Sequence, residues 1–185
     1  MIILLFPLYL FSQKKTCSCA FRSIATVGTV AGESGVRPLL LLNGGITYGR
    51  YFSGIGTGFD SYRFNSIPVF ADWRVNFGKN KTVFIYGNGG YNFPAGHSDK
   101  EINSFKTSDR MTGGLYMDAG FGYRVPLGGL HGISFSAGYS QKNIKWIKGY
   151  TYPCVSPPCV EEFYKYSYQF GRFVTKLSWE LDWRK

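Results

Sequence analysis

Leu115-Tyr116-Met117-Asp118-Ala119-Gly120-Phe121-Gly122-Tyr123-Arg124-Val125 alternates in character with a period of two. Its odd positions are Leu, Met, Ala, Phe, Tyr and Val; its even positions are Tyr, Asp, Gly, Gly and Arg. Side chains along a strand point to alternate faces, so one face is wholly apolar and the other is polar, small or charged. The same alternation recurs through the chain between tight turns and longer polar segments. Repeated in that way, it predicts a β-barrel with lipid outside and a polar interior.

The sequence divides into eight strands: 21–30, 39–48, 51–59, 67–77, 82–93, 110–125, 133–142 (open to an extension past Trp146) and 163–183. The connectors after strands two, four and six are tight; the others, including the first, are polar or longer. Short turns at one rim and long loops at the other fit an eight-stranded, antiparallel, up-and-down transmembrane barrel. An even strand number puts both termini at the short-turn rim, the periplasmic side of such a barrel. Segments 94–109 and 143–162 are the loops expected at the opposite rim.

Composition agrees with strands. The 185 residues include 24 Gly, 14 Tyr, 16 Phe and 4 Trp, a mixture that suits strands, turns and aromatic girdles better than long helices. No interior run reaches the ~18 apolar residues of a transmembrane helix. The mean hydropathy of −0.11 is what alternating strands average to. Ile2–Phe11 is a ten-residue apolar run followed by Ser12-Gln13-Lys14-Lys15. It fits the core of an export signal, although no Lys or Arg precedes it. Residues 1–19 are therefore expected to be a signal and processing segment, and 20–185 the barrel domain.

The net charge of +10 is scattered rather than gathered into one stripe, which argues against nucleic-acid binding and is compatible with an anionic lipid surface. More telling are the charges on the polar strand faces. Arg74, Arg124, Arg172 and Lys176 stand there against Asp72, Asp118, Glu180 and Asp182, four of each sign. An eight-stranded barrel is just wide enough inside for side chains to fill it. Balanced charges are expected to form a paired network that plugs the lumen. An open ion-selective pore would carry one sign in excess.

Asn43-Gly44-Gly45, the segment Tyr51–Tyr62 (YFSGIGTGFDSY), Ile67–Phe77 (IPVFADWRVNF) and Val83–Tyr91 (VFIYGNGGY) resemble small outer-membrane barrels of Gram-negative bacteria, of the porin-like or outer-membrane-protein-A-like type. The resemblance covers about residues 20 to 183. It implies an eight-stranded barrel, integral to the outer membrane, in contact with outer-membrane lipid and lipopolysaccharide, and inserted by the barrel assembly machinery. Such barrels often end on an aromatic residue; here Trp183 is followed by Arg184-Lys185.

Little in the chain looks catalytic, and no cofactor or metal is expected. His97 and His131 are assigned to opposite rims, and His97-Ser98-Asp99 are neighbours in a polar loop rather than a converging triad. Gly54-Ile55-Gly56-Thr57-Gly58 lacks the following helix of a phosphate loop and suits a crowded lumen. Cys154 and Cys159 bracket a Pro-rich loop and are expected to form a disulfide; Cys17 and Cys19 fall in the processing segment. Lys142, Lys145, Trp146 and Lys148 cluster at the outer end of strand seven, the candidate contacts for lipopolysaccharide phosphates. The expected function is a monomeric barrel with a structural or surface-interaction role. The alternatives are a narrow porin-like channel, a lipid-modifying barrel enzyme and a soluble lipocalin-like binder.

Overall fold

The computed structural model describes residues 19–78, 80–95, 107–151 and 161–183. They form nine strands: β1 (Cys19–Gly32), β2 (Gly35–Tyr48), β3 (Tyr51–Asp60), β4 (Ser66–Phe77), β5 (Val83–Pro94), β6 (Thr107–Thr112), β7 (Gly114–Gly128), β8 (His131–Thr151) and β9 (Glu161–Trp183). All pairings are antiparallel. β1 pairs with both β2 and β9, and β8 with both β7 and β9, so the sheet closes on itself. The fold is an all-β, up-and-down barrel.

β6 and β7 are two pieces of a single barrel strand, expected as one continuous run over 110–125. Thr112 pairs with Lys145 but Tyr116 pairs with Lys142, so one side carries an extra residue around Gly113-Gly114. A bulge of this kind bends the strand and increases its twist. It lets β6 continue along β8 beyond the Asn92–Gly114 pair, where the pairing of β5 with β7 ends.

The connectors differ from expectation at two places, the first of them between β1 and β2. β1 and β2 pair to their ends, Gly32 against Gly35, and the first connector is a tight hairpin rather than a longer loop. The turns between β2 and β3 and between β7 and β8 lie at the opposite rim. Gly49 (φ 60°) and Gly129 (φ 60°) adopt the left-handed conformation that such turns demand there. Cys19, placed by the sequence in the processing segment, is the first residue of β1 and is disulfide-bonded. Residues 1–18, and the Cys154–Cys159 pairing, lie outside the described residues.

β8 and β9 run far beyond their neighbours. Their pairing continues to Thr151 opposite Glu161, whereas β1 leaves β9 at Phe173. With β6 on its other edge, this hairpin forms a three-stranded ribbon standing above the loop-side rim. Much of what the sequence suggested as a loop over 143–162 is therefore strand.

Inside the barrel the side chains are layered. On β9 the inward positions, from the tight-turn rim upward, are Asp182, Glu180, Ser178, Lys176, Val174, Arg172 and Phe170, all buried. Charged groups thus sit below and above an apolar band in which Val174 packs with Val30, Leu39, Leu41, Phe70 and Tyr116. The interior is less uniformly polar than strand alternation alone suggests.

Candidate functional site in the barrel interior

Three charge clusters occupy the inward face. The first lies at the tight-turn end, where Arg22 on β1, Arg74 on β4 and Arg124 on β7 converge on two acids of β9. Asp182 is held between Arg22 Nε (2.5 Å) and Arg124 Nη2 (2.5 Å). Glu180 is paired with Arg22 (3.4 Å), Arg74 (3.5 Å) and Arg124 (2.8 Å), and accepts a hydrogen bond from Ser134 Oγ at 2.7 Å. Arg74 also donates to Asp72 through Nε (3.1 Å) and Nη2 (3.0 Å), and Asp72 accepts a further bond from Asn43. The guanidinium planes of Arg74 lie against the rings of Phe52 and Phe84, 5.7 and 5.4 Å from their centroids. Guanidinium is suited to this place because its fork of donors serves several carboxylates while its flat face packs on aromatics.

The second cluster is centred on Asp118 of β7. It pairs with Lys176 and accepts hydrogen bonds from Tyr86 Oη (3.1 Å), Tyr116 Oη (3.4 Å) and Asn88 Nδ2 (3.4 Å). A buried carboxylate needs this many partners to offset its lost hydration.

The third cluster lies at the loop end. Asp60, the last residue of β3, pairs with Arg172 Nη1 at 2.6 Å and with Lys142 Nζ at 3.6 Å; all three side chains are fully buried. Lys142 Nζ also donates to the backbone carbonyls of Tyr62 (3.2 Å) and Phe64 (2.7 Å). The connector from β3 to β4 is thereby drawn inward. Tyr62 is buried with its ring edge-on to Phe170, and its hydroxyl accepts a bond from the backbone N–H of Ser34 at 2.9 Å. Arg63 adopts φ 57°, a left-handed conformation costing a non-glycine roughly 1–2 kcal/mol, and its guanidinium lies over Tyr168 and Phe170.

Small residues make room for these groups. A side chain at Gly56 would meet the Phe70 ring, and one at Gly122 would meet the Phe84 ring. The glycine-rich run 54–58 is thus accounted for by packing.

All eight residues expected to carry inward charge, Asp72, Arg74, Asp118, Arg124, Arg172, Lys176, Glu180 and Asp182, face the interior and take part in these clusters. Arg22 and Asp60 join them without having been singled out from the sequence. Lys142 corrects an expectation: it is buried and cannot touch a surface lipopolysaccharide. β8 continues unbroken through residue 142, and the even positions Ser134, Ser140, Lys142 and Ile144 all point inward. Trp146 and Lys148 continue the same face above the barrel. The Trp146 ring packs against Phe64, Tyr166 and Tyr168, and Lys148 Nζ lies 3.9 Å from its centroid. Of the four, Lys145 alone points outward.

His131 lies at the tight-turn rim, where its Nδ1 accepts a bond from Trp179 Nε1 at 3.3 Å; His97 lies outside the described residues. Among the described residues, no group of three His, Cys, Asp or Glu could hold a metal ion.

The outer surface inverts the interior. Phe121 is 67% exposed, Phe173 72%, Trp179 58% and Ile55 75%, within a belt of exposed Leu, Val, Phe, Tyr and Trp shared by every barrel strand. Soluble monomers rarely expose contiguous apolar patches beyond a few hundred Å². The fold superposes on the crystal structure of the outer membrane protein OprG from Pseudomonas aeruginosa with a TM-score of 0.53, over 91% of this chain and 97% of that one, at 11% identity. This chain has the fold of a small outer-membrane β-barrel. A weaker likeness, with a TM-score of 0.38 and 12% identity over 90% of this chain and 89% of the other, is to the outer membrane protein AlkL, solved by solid-state NMR in DMPC bilayers. No family model matches the sequence, and no curated protein does.

Proposed function

We propose that this chain is an integral, monomeric barrel of the bacterial outer membrane, closed along its lumen by its own side chains, with a structural and surface-presenting role. The observation that carries this reading is the convergence of Arg22, Arg74 and Arg124 on Glu180 and Asp182 from four different strands across the barrel axis. A group tied to several strands at once cannot swing aside without stranding a buried charge. The inward β3–β4 connector, held by Lys142, adds a second closure at the loop end.

In this reading the apolar belt faces lipid, and both ends of the barrel chain lie at the periplasmic rim, where the assembly machinery would engage it. The ribbon of β6, β8 and β9 projects outside the cell. The chain acts as a scaffold and catalyses no reaction. The purified barrel, reconstituted in liposomes with isosmotic small sugars, is expected not to swell them, and the cellular protein to fractionate with the outer membrane and migrate heat-modifiably. Swelling in proportion to protein would favour a narrow channel. Recovery in the aqueous fraction would contradict the membrane assignment itself.

A further inference from the structure

The ribbon above the barrel has two unlike faces. On the inner face, Trp146, Tyr166, Tyr168 and Phe170 are packed together, and Lys148 lies over the Trp146 ring. The outer face is basic. Arg110, Ile147 and Lys165 stand side by side across the three strands, with Thr112, Lys145 and Ser167 in the row below. Arg110, Lys145 and Lys165 are all exposed, and Arg110, Ile147, Phe163 and Lys165 line an open pocket of about 620 Å³. No acidic residue stands in either row. Strands lie ~4.8 Å apart, so Arg110 and Lys165 are about 10 Å from one another at their backbones, with Lys145 one row away. Long cationic side chains at that spacing can close on one multiply charged anion.

Height selects the anion. On β8 and β9 the outward apolar belt ends at Tyr139 and Phe173, which pair with one another, and on the neighbouring β7 it ends at Leu115, next to the Tyr116–Lys142 pair. The two basic rows begin six and eight residues past Tyr139 along β8. At ~3.4 Å per residue and a tilt of about 45°, they stand roughly 14–19 Å above Tyr139, and they also stand above the level of Leu115. The headgroup layer of a bilayer is only about 5–8 Å thick on each side. Glycerophospholipid phosphates therefore lie below these cations, whereas the phosphorylated core sugars of lipopolysaccharide project into their reach. We infer that the outer face of the ribbon, through Arg110, Lys145 and Lys165, binds the phosphorylated core of lipopolysaccharide. The inference rests on the membrane reading above.

The test uses the full barrel in nanodiscs of zwitterionic phosphatidylcholine, checked first for heat-modifiable migration so that failure of the membrane assignment is seen separately. Delipidated, phosphorylated core oligosaccharide is titrated calorimetrically, beside the same oligosaccharide after dephosphorylation. The phosphorylated form is expected to bind with an affinity that falls as salt rises. Dephosphorylation, or the triple variant Arg110→Gln, Lys145→Gln, Lys165→Gln, should each weaken binding by at least about tenfold, the worth of one charge-assisted contact. Lys148→Gln, on the other face, should bind like the parent protein. Equal binding by the triple variant or by the dephosphorylated sugar would overturn the inference. So would loss of binding on adding phosphatidylglycerol to the nanodisc, which would assign the cations to bilayer headgroups instead.

Discussion

Lys142 and Asp60 face each other inside the barrel, 3.6 Å apart and both fully buried, although they stand on strands from opposite parts of the chain. Asp60 also holds Arg172, so the two cations share one carboxylate. The partners are therefore unequal. Asp60→Asn strands two buried cations and should cost about 3–5 kcal/mol, the usual penalty for breaking a buried pair from one side. Lys142→Met leaves Asp60 paired with Arg172 and forfeits mainly the donor to Tyr62 and Phe64, a loss of about 1–3 kcal/mol. Urea titration of the barrel folded in phospholipid vesicles checks the order: Asp60→Asn should unfold at lower urea than Lys142→Met.

Asp118 and Lys176 allow a cleaner separation of charge from packing. Either single change, Asp118→Leu or Lys176→Met, leaves one ion buried alone and should destabilise by about 3–5 kcal/mol. The double variant removes both charges and should recover much of that loss, held back by the Tyr86, Tyr116 and Asn88 groups that lose an acceptor. The same vesicle titration measures the coupling. Losses that simply add would show that the two groups do not act as a pair.

Phe121 tests which side of the sheet meets lipid. It is among the more exposed residues of the belt. In water, Phe121→Arg would be close to neutral or would help solubility. Facing the hydrocarbon near the bilayer midplane, it should cost about 2–4 kcal/mol. Folding yield into vesicles, compared with Phe121→Leu, which keeps the position apolar, reports the difference.

The fold was legible because alternation is a local property. Between Leu115 and Val125 each residue's face follows from its parity, and the inward position of Asp118 and Arg124 follows with it. β1 gave no such contrast: its inward Arg22, Ile24, Thr26 and Val30 are as mixed as its outward Phe21, Ser23, Ala25 and Val27, so Arg22 was hidden. Asp60 sits where the strand pattern fades into a polar connector. Lys142, Lys145 and Lys148 look like one cluster along the chain, but a spacing of three changes parity at each step. A pleated strand therefore sends Lys145 to the face opposite the other two. Had the parity of Ser134 and Ser140 been carried forward, Lys142 would have fallen inside. The pairing of Asp60 with Arg172 belongs to the closure of the barrel, and no local pattern contains it.

Single-channel recording in planar lipid bilayers shows whether the lumen is closed. The unmodified barrel should insert without stepwise conductance. The variant with Arg22, Arg74 and Arg124 all changed to Ala should widen only the tight-turn end and still pass no current, because the apolar band around Val174 and the connector held by Lys142 close the lumen above it. Sustained stepwise openings of the unmodified barrel would contradict the account.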